Sequence, residues 1–204
     1  KFLIVGNKNA VTYKEIFSLF KENKIRIGYR NMNSDFWLEV PEGNSFEKIE
    51  NGKKVKHIMA CWYTNLPTTK QEEELVLYKK YTSDEYPKYD NYDAIDVNKV
   101  TDIPQDYDGV IGVPITFLDK HNPDQFEIVA LGNSRENFTP NKDYINPKKH
   151  TKDGKTVNGG AINGVLSLSQ KEKPVGKVYY TSDNSEFLVP PYARILIKKK
   201  SEGC

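Results

Sequence analysis

The chain has 204 residues, 37% hydrophobic and 12% aromatic, enough for a sizeable core in one large domain or one domain plus a smaller one. Charged residues make up 28%, mean hydropathy is −0.69 and net charge is +2, which excludes a helical membrane span and names no partner by overall charge. The two cysteines, Cys61 and Cys204, form no disulfide framework, and no signal-peptide pattern opens the chain, so a reducing cytoplasm is the expected compartment.

The opening KFLIVGNKNAVTYKEIF places a buried strand at residues 2–5, followed by a Gly-Asn turn. Thr12-Tyr13-Lys14-Glu15 has capping-box form. Ile16, Phe17, Leu19 and Phe20 then recur at helical spacing, which predicts a helix from Tyr13 to Asn23. Residues 25–27 follow as a strand, so residues 2–27 read as the strand–helix–strand crossover of a parallel sheet. Residues 36–40 and 57–63 read as the strands of a long antiparallel hairpin with a floppy polar tip at 41–54, and 74–78 as a further strand. The combination predicts a mixed sheet with an antiparallel strand near one edge.

Beyond Lys79 the pattern is irregular. Tyr81, Tyr86, Tyr89, Tyr92 and Tyr107 are interleaved with acids, and from Asp84 to Asp108 eight acids stand against two lysines. The tyrosines can pack, which argues against disorder. A short helix is expected at 113–120, a strand at 126–131 and a final strand at 192–198. Pro190 and Pro191 read as an extended lead-in to an edge strand. From Lys142 to Lys155 five lysines stand against two aspartates. Such a loop either contacts a polyanion or is simply solvated.

Few motifs carry chemistry by themselves. His57, His121 and His150 lack metal-ligand spacing, and the chain has no CxxC, GxSxG, Walker or GxGxxG pattern. Asn7 and Asn9 sit where a strand's carboxyl end meets a helix, the edge at which open α/β sheets bind ligands. They are either amide partners for a base or cofactor, or ordinary turn residues. Trp62 and Tyr63 either stack on a base or pack in the core. Val189-Pro190-Pro191-Tyr192 lacks the polar first residue that an Asn-Pro-Pro-aromatic amine site needs. A nuclease reading is weak, because Pro123-Asp124 and Glu22-Asn23-Lys24 have the wrong context.

Several segments, in order, resemble the carboxyl-terminal part of EcoRI-type adenine-specific DNA methyltransferases. They are KFLIVGN with NAVTYKEI, ACWYTNL at 60–66, YPKYDNYDAI at 86–95, GVPITFLD at 112–119 with Asn122-Pro123, FEI at 126–128, and YARILIKK at 192–199. The resemblance implies an α/β fold. Residues 1–78 would be the carboxyl half of a Rossmann-like mixed sheet, 79–190 an irregular α+β target-recognition region, and 191–204 a final strand and basic tail. It implies S-adenosylmethionine as methyl donor and adenine N6 of double-stranded DNA as acceptor, in a restriction-modification system, with the base taken out of the stack.

The family's Phe-x-Gly-x-Gly cofactor loop and Asn-Pro-Pro-Phe motif are absent from these residues. The chain therefore reads as a fragment, inactive alone, with no catalytic or cofactor-binding residue of its own. Asn7 and Asn9 would lie at the active-site edge. Asn133, Ser134, Arg135, Lys148, Lys149, Lys152 and Lys155 would contact DNA, and the acidic tyrosine stretch would face away from it. The amino-terminal strand, lacking a neighbour, would self-associate. The alternative is a non-catalytic DNA- or protein-binding module.

Overall fold

The computed structural model describes residues 1–30, 32–34, 36–133 and 138–200. One unit comprises Lys1–Glu73 with Leu118–His121, and the remainder forms a second.

Phe17 and Phe20, one helical turn apart, organise the start of the first unit. Strand β1 (Leu3–Asn7) runs through a short 3-10 turn (Lys8–Thr12) into helix α1 (Lys14–Lys21), which buries both rings. Burial of each contributes about 1.5–3 kcal/mol. The capping box does not form. Thr12 instead donates its hydroxyl to the Asn9 carbonyl (2.8 Å), closing the preceding turn, and the cap falls on Tyr13, which makes no side-chain cap bond.

Strands β2 (Arg26–Ile27), β3 (Phe36–Glu39), β4 (Lys48–Glu50), β5 (Lys53–Ile58) and β6 (Ala60–Thr64) follow, then the one-turn helix α2 (Thr69–Glu72). One three-stranded sheet has the order β1-β6-β2, with β6 antiparallel to both neighbours. The crossover is therefore present, but its two parallel strands are separated by an antiparallel one. Strand β1 is not buried: Leu3, Ile4 and Val5 are 56%, 54% and 44% exposed. It lies at the sheet edge, with β6 as its one partner.

A second three-stranded sheet has the order β3-β5-β4. The single strand expected at 57–63 is thus two strands parted at Met59, because β5 pairs with β3 and β4 whereas β6 pairs with β1 and β2. The later half of the expected floppy tip, from Lys48 onward, is built into this sheet as β4, its turn and the start of β5. Asn51 (φ 49°) and Gly52 (φ 77°) supply the two left-handed residues of the β4–β5 turn.

In the second unit, residues 74–78 form no strand. They run extended with alternating burial, but the Gln125 side-chain amide takes the place of a partner strand. Its oxygen accepts from Leu75 N (2.8 Å) and its nitrogen donates to Leu75 O (2.8 Å). Strands β7 (Ala94–Asp96), β8 (Val110–Pro114), β9 (Phe126–Leu131), β10 (Lys148–His150), β11 (Thr156–Asn158), β12 (Leu168–Gln170), β13 (Tyr179–Ser182), β14 (Ser185–Val189) and β15 (Arg194–Lys199) form two sheets.

The four-stranded sheet has the order β7-β8-β15-β9, parallel only between β7 and β8. Strand β15 is therefore central rather than an edge, and Arg194, Ile195, Leu196 and Ile197 are all buried. The helix expected at 113–120 is shorter: Val113 and Pro114 close β8, and a 3-10 turn spans Ile115–Asp119. Part of the acidic stretch is internal. Asp96 accepts from Arg194 Nε (2.8 Å) and from the Tyr89 hydroxyl, while Arg194 Nη2 donates to Asn98 Oδ1 (3.0 Å). The five-stranded antiparallel sheet has the order β11-β10-β13-β14-β12. Its inner face packs Tyr180 and Leu188 against Tyr144 and Ile162.

Candidate nucleic-acid interface

The lysine-rich segment folds as the β10–β11 hairpin. Its turn is pinned by Thr151, whose backbone N–H donates to the Lys155 carbonyl (2.9 Å) and whose hydroxyl accepts from Lys155 N (3.1 Å). Gly154, at φ 82°, supplies the left-handed residue the turn needs. Lys148, Lys152 and Lys155 are exposed. Lys149 is not grouped with Lys148: alternation puts it on the opposite face, in register with buried Tyr180. Lys142 is held against Asp90 (2.9 Å) and so is committed within the fold. The Thr151 hydroxyl and Lys155 hold the Asp153 carboxyl below its ordinary range.

On the outer face of the same sheet, His150 stacks on Tyr179 at 4.5 Å with 11° between the ring planes. Both imidazole nitrogens are engaged, by Thr181 Oγ1 (2.9 Å) and Thr156 Oγ1 (3.2 Å). Phe187 meets Tyr179 edge-on at 5.7 Å. Across from the hairpin turn lies the 171–177 loop, and the two border an open trench of about 600 Å³. Sequence reading missed Lys173 and Lys177, because Pro174, Val175 and Gly176 break up any local charge run. The signal that finds them is the pairing of His150 with Tyr179, which brings the two segments together.

The other expected site residues stand apart. Asn133 is half-buried just beyond β9, next to Gly132, whose N–H donates to the Arg194 carbonyl (2.9 Å). Ser134 and Arg135 lie outside the described residues.

In the first unit the Asn7 side chain accepts from Asn9 N (2.8 Å) and so caps the 3-10 turn. Gly6 is a packing glycine, since an added Cβ would stand 2.9 Å from the Tyr63 ring. The residues at this edge therefore do not fit a methyl donor: the glycine faces a tyrosine and the Asn7 amide oxygen is occupied. Cys61 and Tyr63 are buried and burial raises both pKa values, which removes Cys61 as a nucleophile. Trp62 packs beside Phe36 with centroids 6.3 Å apart, consistent with a packing role. Among the described residues there is no metal-binding cluster and no helix long and apolar enough to cross a membrane.

The sequence model of the family described as adenine-specific methyltransferase EcoRI matches residues 1–200. The chain is 49% identical over 139 residues to the Type II methyltransferase M.EcoRI of Escherichia coli, covering 64% of this chain and 43% of that protein. It is 39% identical over 170 residues to M.MgeORF184P of Mycoplasma genitalium, and 36% over 169 residues to M.MpnI of Mycoplasma pneumoniae. Each of these matches covers 78% of this chain and 53% of the relative. No solved structure matches. The chain thus spans about half the length of the curated relatives it matches, at most 53%. With the family's model matched from residue 1 to residue 200, the chain belongs to the EcoRI family of adenine-specific methyltransferases.

Proposed function

We propose that residues 1–204 are the DNA-contacting, non-catalytic carboxyl-terminal part of an adenine-N6 DNA methyltransferase of a restriction-modification system. The observation that carries this reading is the β10–β11 hairpin, which presents Lys148, Lys152 and Lys155 to solvent in a chain of this family. Lysines so placed neutralise phosphates and position the duplex, while base edges are read elsewhere. Arg135 is assigned to a further phosphate, and Asn133 and Ser134 to a base edge or a phosphate. The Asp96–Arg194 pair supports the expectation that the acidic stretch stays off the DNA, since its most buried carboxylate is neutralised internally.

The β1-β6-β2 order, an antiparallel strand between two parallel ones, supports the reading of residues 1–78 as the end of a Rossmann-like methyltransferase sheet. In such a sheet Asn7 and Asn9 lie at the carboxyl edge, beside where an extruded adenine is worked on. S-adenosylmethionine supplies the methyl group in the full-length enzyme. Within these residues no glycine loop cradles it and no Asn-Pro-Pro-Phe motif accepts the adenine amine.

The test is fluorescence anisotropy of a labelled duplex with the 204-residue chain across a salt series. Binding should weaken steeply, with the logarithmic slope lowered by about 2 in Lys152→Ala/Lys155→Ala. Binding that ignores both salt and this substitution would refute the reading.

A further inference from the structure

We infer that the trench between the β10–β11 turn and the 171–177 loop holds one phosphodiester strand of the DNA, gripped from both sides. The inference rests on the DNA-contacting reading above and adds an opposing wall that the sequence did not reveal.

The lining separates into floor and walls. The floor is His150 over Tyr179, with the imidazole fixed by hydroxyls at both nitrogens. One wall is the pinned turn, whose Lys152 lines the trench with Lys155 further along the same turn, and the other is the loop, whose Lys173 and Lys177 line it. Lys173 Nζ sits 5.8 Å from the Tyr179 ring centroid. That contact holds the loop's middle lysine over the floor, a weak cation–π attraction at an exposed site. Three lysines and no carboxylate line the trench, and Asp153 on the turn is already paired with Lys155 (3.0 Å). Among the described residues Lys152, Lys173 and Lys177 make no ion pair. Their charge is available to an external anion.

Shape selects the ligand class. Small-molecule sites bury most of their ligand in largely apolar clefts. This trench is open: Val175 at its rim is 93% exposed and the lysines are exposed as well. An open channel with cations on both banks suits a linear polyanion that passes through, and a nucleic-acid strand carries one charge about every 3.4 Å. Both banks are tight turns with a left-handed glycine, Gly154 (φ 82°) and Gly176 (φ 70°). Neither has anything within 4 Å of an added Cβ, so the turn tips project into free space. Lysines on such tips can close on a backbone without disturbing the sheet beneath.

The experiment uses the 204-residue chain and a fluorescein-labelled duplex, with anisotropy read from about 50 to about 200 mM salt. Three proteins are compared: wild type, the hairpin variant Lys152→Ala/Lys155→Ala, and the loop variant Lys173→Ala/Lys177→Ala. All four positions are exposed, and circular dichroism checks that each variant is folded. The loop variant should lose about tenfold in affinity near 100 mM salt and about 2 in logarithmic salt slope, matching the hairpin variant. A loop variant that binds as wild type, beside a weakened hairpin variant, overturns the two-walled trench and leaves the DNA-contacting reading standing. Wild type that does not bind duplex overturns both.

Discussion

Asp96 and Arg194 show what a single buried pair imposes on its surroundings. Their side chains are 2% and 8% exposed, and the Tyr89 hydroxyl and Asn98 amide complete the network. Gly112 is part of the same arrangement, because any side chain there would collide with the Tyr89 hydroxyl. Removing one ion of a buried pair leaves the other uncompensated, at a cost of about 3–5 kcal/mol, whereas removing both costs less. Urea denaturation should therefore show Arg194→Met as the more damaging change and Asp96→Asn/Arg194→Met as milder. Equal losses would mean the pair is not coupled. Asp119 gives a pH signature instead. Burial raises its pKa, although Met32 N donates to both carboxyl oxygens (3.0 and 3.1 Å). The folded state thus holds the proton more tightly than the unfolded chain. Asp119 favours folding least once it is ionised, above its raised pKa, and most below the ordinary carboxylate value. Relative to Asp119→Asn, wild type should lose stability as the pH rises from the ordinary carboxylate value through the raised pKa of Asp119. A difference that is flat across that range, measured by thermal melts, would contradict the assignment.

At the level of elements, the sequence was most readable where one periodicity matched one environment. Helix α1 and strand β9 fall within the ranges their apolar spacing predicts, β9 residue for residue. The failures have identifiable causes. Residues 74–78 do alternate in burial like a strand, but no pattern in the chain announces that Gln125 will replace the partner ladder. A continuous apolar run across Met59 hides a change of sheet, since side-chain period says nothing about which neighbour pairs. The lysine hairpin was legible as composition, but its opposing loop was not, because it is reached only through strand register. Strand β1 carries the clearest element-scale consequence. Three consecutive exposed apolar residues on an edge strand invite another strand. The isolated chain should therefore self-associate with rising concentration in sedimentation velocity, and Ile4→Lys should abolish this while changing stability by under about 0.5 kcal/mol. Monomeric wild type at high concentration would show that the edge is inert.

For the whole molecule, family membership and content point in complementary directions. The chain matches the family over residues 1–200 yet contains neither a glycine loop for the methyl donor nor the Asn-Pro-Pro-Phe motif. What it does contain is a basic, pinned hairpin on the rim of a five-stranded sheet, and an antiparallel three-stranded sheet with an open edge. Binding and chemistry should therefore be separable. The most direct measurement is transfer of tritiated methyl from S-adenosylmethionine to a duplex that the chain binds, at protein concentrations above the measured Kd. Bound duplex without incorporated label is the predicted result. Label appearing in adenine in proportion to the 204-residue chain would contradict it.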